Sequence, residues 1–297
     1  MKVLMITGDR SFTPGHPRYE LQRSAVEEFA VMYWGRGSLF PRIPKGSWDV
    51  VTVQDPFWRG LFARHVARRL GARLNVQVHT DLAAQGFFRR MLAQFVLRRA
   101  ASVRVVSEKI KKQVERMGVR TPATVLTIFV DVEKFTHLPR APHAQKTILW
   151  LGRFEAEKDP LQAIAVLQAV RAGGTDARLV MLGAGSLEQA LHRKAERLPV
   201  EFPGWRDPTT YLPEADVVLS TSLHESFGAS MVEALAAGVP VVAPDVGVAR
   251  EAGAIVVPRD ELAAKTEEVL RIGSRGTLQL SLLAKEEWIR RWRESLL

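Results

Sequence analysis

From residue 215 to residue 251 the chain reads ADVVLSTSLHESFGASMVEALAAGVPVVAPDVGVARE, a stretch that few architectures accommodate. The β-branched run at 217–219, bounded by Asp216 and by Ser220-Thr221-Ser222, predicts a buried strand of a parallel sheet. The chain breaks at Ser226-Phe227-Gly228 and then predicts a short helix over 229–237, stopped by Gly238 and Pro240. A second apolar strand over 239–243 follows at once.

Two carboxylates stand inside this unit, Glu225 in the loop past the strand and Glu233 about one turn into the helix. Ligands of open α/β sheets lie outside the carboxyl ends of the strands, so both side chains are expected at one crevice. Gly228 lets a ligand approach the backbone, and the free N–H groups of the helix start favour an anion such as phosphate. A carboxylate pair flanking an anion site suits hydroxyl-rich ligands, one carboxylate for a sugar and one for a ribose. Upstream, Arg153 and Lys158 stand in GRFEAEKDP after a strand expected over 147–152. Two cations at the mouth of a strand–helix junction can pair with a diphosphate, the arginine as a fork and the lysine as a point charge.

These segments resemble the retaining glycosyltransferases of the glycogen-synthase-like group, known as family 4 or group 1. Glu225 and Glu233 match its Glu-x7-Glu signature, with Ser226, Phe227 and Gly228 in place between them. Arg153 and Lys158 match its Gly-Arg-x4-Lys segment. The resemblance implies an α/β fold of the GT-B type, two Rossmann-like domains whose parallel sheets face each other across a cleft. It also implies a retaining hexosyl transfer from a nucleotide-diphosphate sugar without a metal or other cofactor, Arg153 and Lys158 holding the diphosphate, Glu225 the sugar and Glu233 the ribose.

Further matches are thinner. His79, ending VQVHTD, falls where the family places a histidine beside the donor sugar. Gly15-His16 fall where it carries two glycines near the donor phosphates. Gly183 and Gly185 of GAGS match a Gly-x-Gly step, and Trp205-Arg206 follow a segment whose backbone borders the base, so that either could stack on it. Gly247 and Glu251 match a Gly-Gly-x-x-Glu step, and IFVDVEKF matches a segment of which Asp131 and Phe135 are retained. Ser107 is read as a helix cap.

The first half of the chain supports the same class. Strands are expected at 2–7, 31–34, 49–54, 74–79, 103–107 and 124–129, and helices at 19–29, 58–70, 86–100 and 108–117; alternation at this spacing means a parallel sheet covered on both faces. The Pro-rich, aperiodic segment 135–145 reads as a linker. The domains expected are therefore 1–140 and 141–283, with helices over 260–272 and from 277 onward, the last (284–297) packing back on the first domain.

Charge is unevenly placed: residues 1–140 carry 24 Lys and Arg against 11 Asp and Glu, whereas the remainder is nearly neutral. A basic half attracts anionic membranes, nucleic acid or anionic substrates. No nucleic-acid motif accompanies it, so no nucleic-acid partner is expected. The segment 86–100 sets Phe88, Met91, Leu92 and Phe95 at helical spacing among Arg89-Arg90 and Arg98-Arg99, and Arg59, Arg64, Arg68 and Arg69 precede it. Core packing explains such a stripe, and so does a basic amphipathic helix on a membrane surface. The chain contains no cysteine, which excludes disulfides and thiolate chemistry and accords with a reducing cytoplasm. No signal peptide or membrane-length apolar run is visible, so the expected location is the cytoplasm, at the inner membrane face if the acceptor is a lipid-linked glycan. Two other readings stay open: a nucleotide-sugar epimerase on the same fold, and a non-catalytic basic binding module.

Overall fold

A computed structural model describes residues 1–35, 43–140, 143 and 145–297. The chain divides into two compact units, Met1–Phe129 with Leu283–Leu297, and Val130–Leu282. Residues 130–140 thus belong with the second unit, ahead of the boundary expected at 140/141. Of the expected linker, residues 141, 142 and 144 lie outside the described residues.

The first unit contains β1 (Lys2–Thr7), α1 (Pro17–Arg23), β2 (Glu28–Tyr33), β3 (Val50–Val53), α2 (Trp58–Leu70), β4 (Arg73–Val78), α3 (Phe87–Leu97), β5 (Ser102–Val105), α4 (Glu108–Arg116) and β6 (Ala123–Val125). Its six strands are all parallel, in the order β2-β1-β3-β4-β5-β6. Apolar strand interiors follow from coverage on both faces: all four residues of β3 are buried, as are five of the six in β1. Gly71, in the left-handed region at φ 66°, ends α2. Ser107 caps α4 through Ile110 N, as expected.

Several boundaries shift by a few residues, β6 ending at Val125 rather than at 129 and α3 at Leu97 rather than at 100, and one helix departs more. The helix expected over 19–29 runs over Pro17–Arg23: His16 caps its start with Pro17 in its first turn, Ser24 caps its end, and Phe29 belongs to β2. There Glu28 pairs with Lys2 in the ladder and through a 2.9 Å ion pair.

The second unit contains α5 (Glu133–Thr136), β7 (Lys146–Leu151), α6 (Pro160–Ala172), β8 (Ala177–Leu182), α7 (Glu188–Ala195), β9 (Val200–Gly204), β10 (Val217–Leu219), α8 (Ala229–Ala236), β11 (Val241–Ala243), α9 (Ala249–Ala252), β12 (Ile255–Val256) and α10 (Leu262–Ile272). Its sheet is again parallel, ordered β12-β11-β10-β7-β8-β9. Strand order reverses between β7 and β10, and such a reversal opens a crevice at the carboxyl ends of the two strands. The core beneath is built from Trp150, Phe154, Ile164, Leu167, Leu179 and their neighbours.

The helix expected from 277 starts later. Residues 274–284 run without regular structure, tied down by Gly276 N to Gly238 O at 3.0 Å and Gln279 N to Ala252 O at 2.9 Å. Then α11 (Lys285–Glu294) forms, and its buried Trp288 and Trp292, followed by Leu296, complete the core of the first unit. The spacing places these three on one helical stripe. The opposite side holds Arg290 in ion pairs with Glu287 and Glu294.

Candidate active site

The loops after β7 and β10 meet at the reversal point of the second sheet. Lys158 Nζ donates to Glu225 Oε1, both side chains largely withdrawn from solvent, and Ser222 Oγ donates to the same carboxylate oxygen at 3.0 Å. Residues 67 positions apart thus form one charged pair because their strands are neighbours, with Val217 opposite Ile148.

Lys158 is held by its backbone. The next residue, Asp159, adopts a left-handed conformation at φ 44°, unusual for a side chain other than glycine. Thr221 stabilises it: Trp150 Nε1 donates to Thr221 Oγ1 at 2.9 Å, and that hydroxyl reaches the carbonyl oxygens of Lys158 and Asp159 at 2.9 and 2.8 Å. Arg259 closes the clamp through an ion pair to Asp159 and a hydrogen bond to Thr221 O. Nothing in the local sequence around 259 announces this role.

Glu225 is backed by Gly247, at φ 54°. A Cβ there would lie 2.1 Å from Phe227 O and 3.0 Å from Glu225 Cβ, so only glycine lets the 247 turn support the 225–227 loop. Val248 N bonds Phe227 O at 2.9 Å, and the Phe227 ring itself is buried. Gly228, at φ 97°, is the N-cap of α8, and the amides of Ala229 and Ser230 find no protein acceptor among the described residues. Ser226 is partly buried in the same loop.

Glu233 occupies a different electrostatic setting. Burial first, and Asp207 secondarily, push its carboxyl up to about 7, against the favourable pull of Lys134. Lys134 comes from α5, which packs on α8. Neither Lys134 nor Asp207 carries a local signal of this role.

The other matched positions are less concentrated. Arg153 is exposed and donates to Glu157 Oε1 at 2.6 Å. Gly183 and Gly185 are explained by chain packing: a Cβ at Gly183 would lie 1.8 Å from Gly152 O, and one at Gly185 would lie 2.6 Å from Phe154 O. Their loop is locked to the Arg153 loop by Phe154 N to Ala184 O at 2.9 Å and by Ser186 Oγ to Glu155 at 2.7 Å. Trp205 is 59% exposed, and beside it Arg206 is exposed too.

In the first unit, the Gly15 amide is already donated to Glu20 Oε1 at 2.8 Å. His79 is partly buried at the end of β4, with Gln77 Oε1 3.3 Å from its Nε2. Burial, then the charges of Arg104 and Arg18, push its pKa down to about 3, so the ring is neutral near pH 7. Gln77 accepts from Arg104 Nη1 at 2.8 Å, and this buried arginine also bonds the carbonyls of Leu126 and Thr127. At the carboxyl end of β1, Arg59 lies against Gly8, where a Cβ would fall 2.2 Å from its guanidinium, and pairs with Asp55 at 2.9 Å. Arg59 therefore belongs to the strand ends and leaves the basic surface patch for which it was a candidate. Among the described residues, no group of three or more His, Asp or Glu could hold a metal ion.

The fold matches that of known proteins. HepE of Anabaena, solved with UDP and glucose, matches the fold over 100% of this chain and 99% of its own, at a TM-score of 0.71 and 17% identity. Sucrose-phosphate synthase of Thermosynechococcus elongatus matches over 100% of this chain and 94% of its own, at 0.71 and 16% identity. The fold is that of the GT-B glycosyltransferases. The second unit matches the family model for glycosyl transferases group 1 over residues 145–272, and the first matches the glycosyl transferase 4-like domain over residues 13–128. The chain belongs to the group 1, glycosyltransferase 4-like family. Over 144 residues it is 34% identical to the GDP-mannose-dependent alpha-(1-6)-phosphatidylinositol dimannoside mannosyltransferase of Mycobacterium tuberculosis, which takes in 44% of this chain and 38% of that relative.

Proposed function

We propose that this chain is a retaining, metal-independent glycosyltransferase that moves a hexosyl group from a nucleotide-diphosphate sugar to a hydroxyl of a glycan or lipid-linked acceptor, in the cytoplasm at the inner membrane face. The observation that carries the proposal is the pairing of Lys158 with Glu225 at the strand-order reversal of the second sheet. In this reading Lys158 turns to the donor diphosphate, joined by Arg153 and by the free amides at the start of α8. Positive charge placed beforehand at the leaving group stabilises the negative charge that develops there. Glu225, released from Lys158, orients the sugar through its hydroxyls. Glu233 receives the ribose hydroxyls, to which a carboxyl with a raised pKa can donate as well as accept.

The bond from the anomeric carbon to the donor phosphate oxygen breaks as the acceptor oxygen bonds to that carbon from the same face. The acceptor proton passes to a donor phosphate oxygen, and nucleoside diphosphate leaves. In this reading His79, whose ring is neutral near pH 7, supplies a hydrogen-bonding group without charge. The mannosyltransferase named above takes GDP-mannose and HepE was solved with UDP, so both bases belong among the donors to test.

The deciding measurement is a thermal-shift panel with UDP, GDP, ADP and their common sugar conjugates, because a ligand of the native state raises the midpoint. One nucleotide family is expected to shift the protein, and Lys158→Ala to lose the shift. Transfer to an acceptor that survives at wild-type turnover in Lys158→Ala or Glu225→Ala overturns the assignment. Release of nucleotide in the absence of any acceptor glycoside points instead to the epimerase reading.

A further inference from the structure

Helix α3 has two apolar faces. Ala93, Val96 and Leu97 are buried. Phe87, Phe88, Met91 and Phe95 are 70%, 86%, 51% and 39% exposed. Positions 88, 91 and 95 recur at helical spacing, so they form one stripe along the outside of the unit. Single exposed apolar side chains are ordinary; a continuous large-residue stripe marks a surface that something covers.

The stripe ends at a recess of about 380 Å³ lined by Arg64, Arg68, Arg73 and Arg99, with Leu74 among its apolar lining. Among the described residues none of these four arginines has a carboxylate partner, whereas Arg18, Arg59 and Arg178 are all paired. Phe95 joins stripe to recess: the Arg99 guanidinium lies 3.7 Å from its ring centroid and that of Arg64 5.6 Å. Four like charges around one cavity repel one another until an anion enters. The recess sits where β4 begins and just ahead of β5, at the opposite end of the sheet from His79.

We infer that this face docks on an anionic phospholipid surface, a lipid phosphate entering the arginine recess while Phe88, Met91 and Phe95 lie at the boundary of the acyl chains. A free phosphate would satisfy the arginines and leave the stripe uncovered; an anionic bilayer satisfies both, as amphipathic basic surfaces do. The inference gives a specific site to the membrane attachment proposed above, and it holds whether or not the chain transfers sugar.

The test is flotation of the full chain with vesicles of phosphatidylcholine alone or of equimolar phosphatidylcholine and phosphatidylglycerol. Wild type is expected to float with the anionic vesicles at least about tenfold better than with the neutral ones. Phe88→Ser with Met91→Ser, and separately Arg68→Glu with Arg73→Glu, are each expected to lose about tenfold. The control, Arg116→Glu with Arg120→Glu on exposed positions elsewhere in the unit, makes the same change in net charge and is expected to stay within about twofold. Circular dichroism and an unchanged donor thermal shift establish that the variants are folded. No binding to anionic vesicles overturns the inference, and so does an equal loss in the control, which would mean diffuse charge attraction. Undiminished binding by the serine variant removes the stripe, and a thermal shift with inorganic phosphate but no flotation assigns the recess to a soluble anion.

Discussion

Lys158 and Glu225 neutralise each other, so in the proposed reading a donor diphosphate competes with Glu225 for the lysine. The same holds at the exposed edge, where Glu157 engages Arg153. An exposed pair is worth roughly 0.5 kcal/mol, so Glu157→Gln should tighten nucleoside diphosphate binding by about twofold, measured by calorimetric titration. Glu233 makes a different case. Its folded pKa of about 7 lies above the ordinary carboxyl value of 4.5, so the folded state retains a proton that the unfolded state releases between those two values. Stability from this group is complete below 4.5 and is lost as pH rises to about 7. Glu233→Gln should therefore gain ~1–2 kcal/mol at pH 8 in urea unfolding while donor binding weakens. Equal stability of variant and wild type at pH 8 would show that burial does not penalise this carboxylate. Glu225 and Glu233 are legible because they lie in one contiguous strand–loop–helix stretch whose surrounding residues resemble the family's Glu-x7-Glu signature. Arg59, Lys134 and Arg259 are not, since each acts through segments that meet only after folding.

At the level of elements, α2 could be read to the residue because Trp58–Leu70 is bounded by a helix start and by Gly71. The end of α1 was obscured by Glu27-Glu28-Phe29-Ala30, which suits a helix locally and becomes a strand edge through its ladder with β1. Similarly, the delayed start of α11 reflects backbone bonds from 276 and 279 to Gly238 and Ala252, partners invisible to local propensity. Helix α11 itself carries a measurable share of the first unit. Trp292 is fully buried against Phe29, and Trp288 stacks near it. Trp292→Ala should cost ~3–5 kcal/mol, read from the loss of tryptophan-monitored stability in denaturant. A cost below about 1 kcal/mol would mean that α11 is an ornament rather than part of the core.

Across the whole molecule His79 and Glu233, one in each unit, contribute pH dependence in opposite senses. His79, held at about 3, leaves the folded first unit without a proton that the unfolded chain takes up below 6.5, so acidification from 6.5 toward 3 weakens that unit. Between 4.5 and 6.5 this slope opposes that of Glu233 in the second unit. Five of the seven tryptophans lie in the first unit, so their emission follows its unfolding preferentially. In that signal, His79→Gln should flatten the acid slope, whereas Glu233→Gln should leave it in place. An acid slope unchanged in the histidine variant would assign it to other groups.

The chain returns at its end to a sheet it began at the start. Asn75 Nδ2 donates to Ser295 O at 2.8 Å, and Ser102 Oγ donates to Leu296 O at 3.2 Å, contacts 220 and 194 residues apart. During synthesis at 5–20 residues per second, Asn75 waits roughly 10–40 s for its acceptor to be made. The second unit, uninterrupted in sequence, has every segment of its core available before then. A ribosome that stops short of Trp288 therefore releases a chain whose second sheet can close and whose first sheet has an open face, a defect that proteolysis would detect by cutting only one of them.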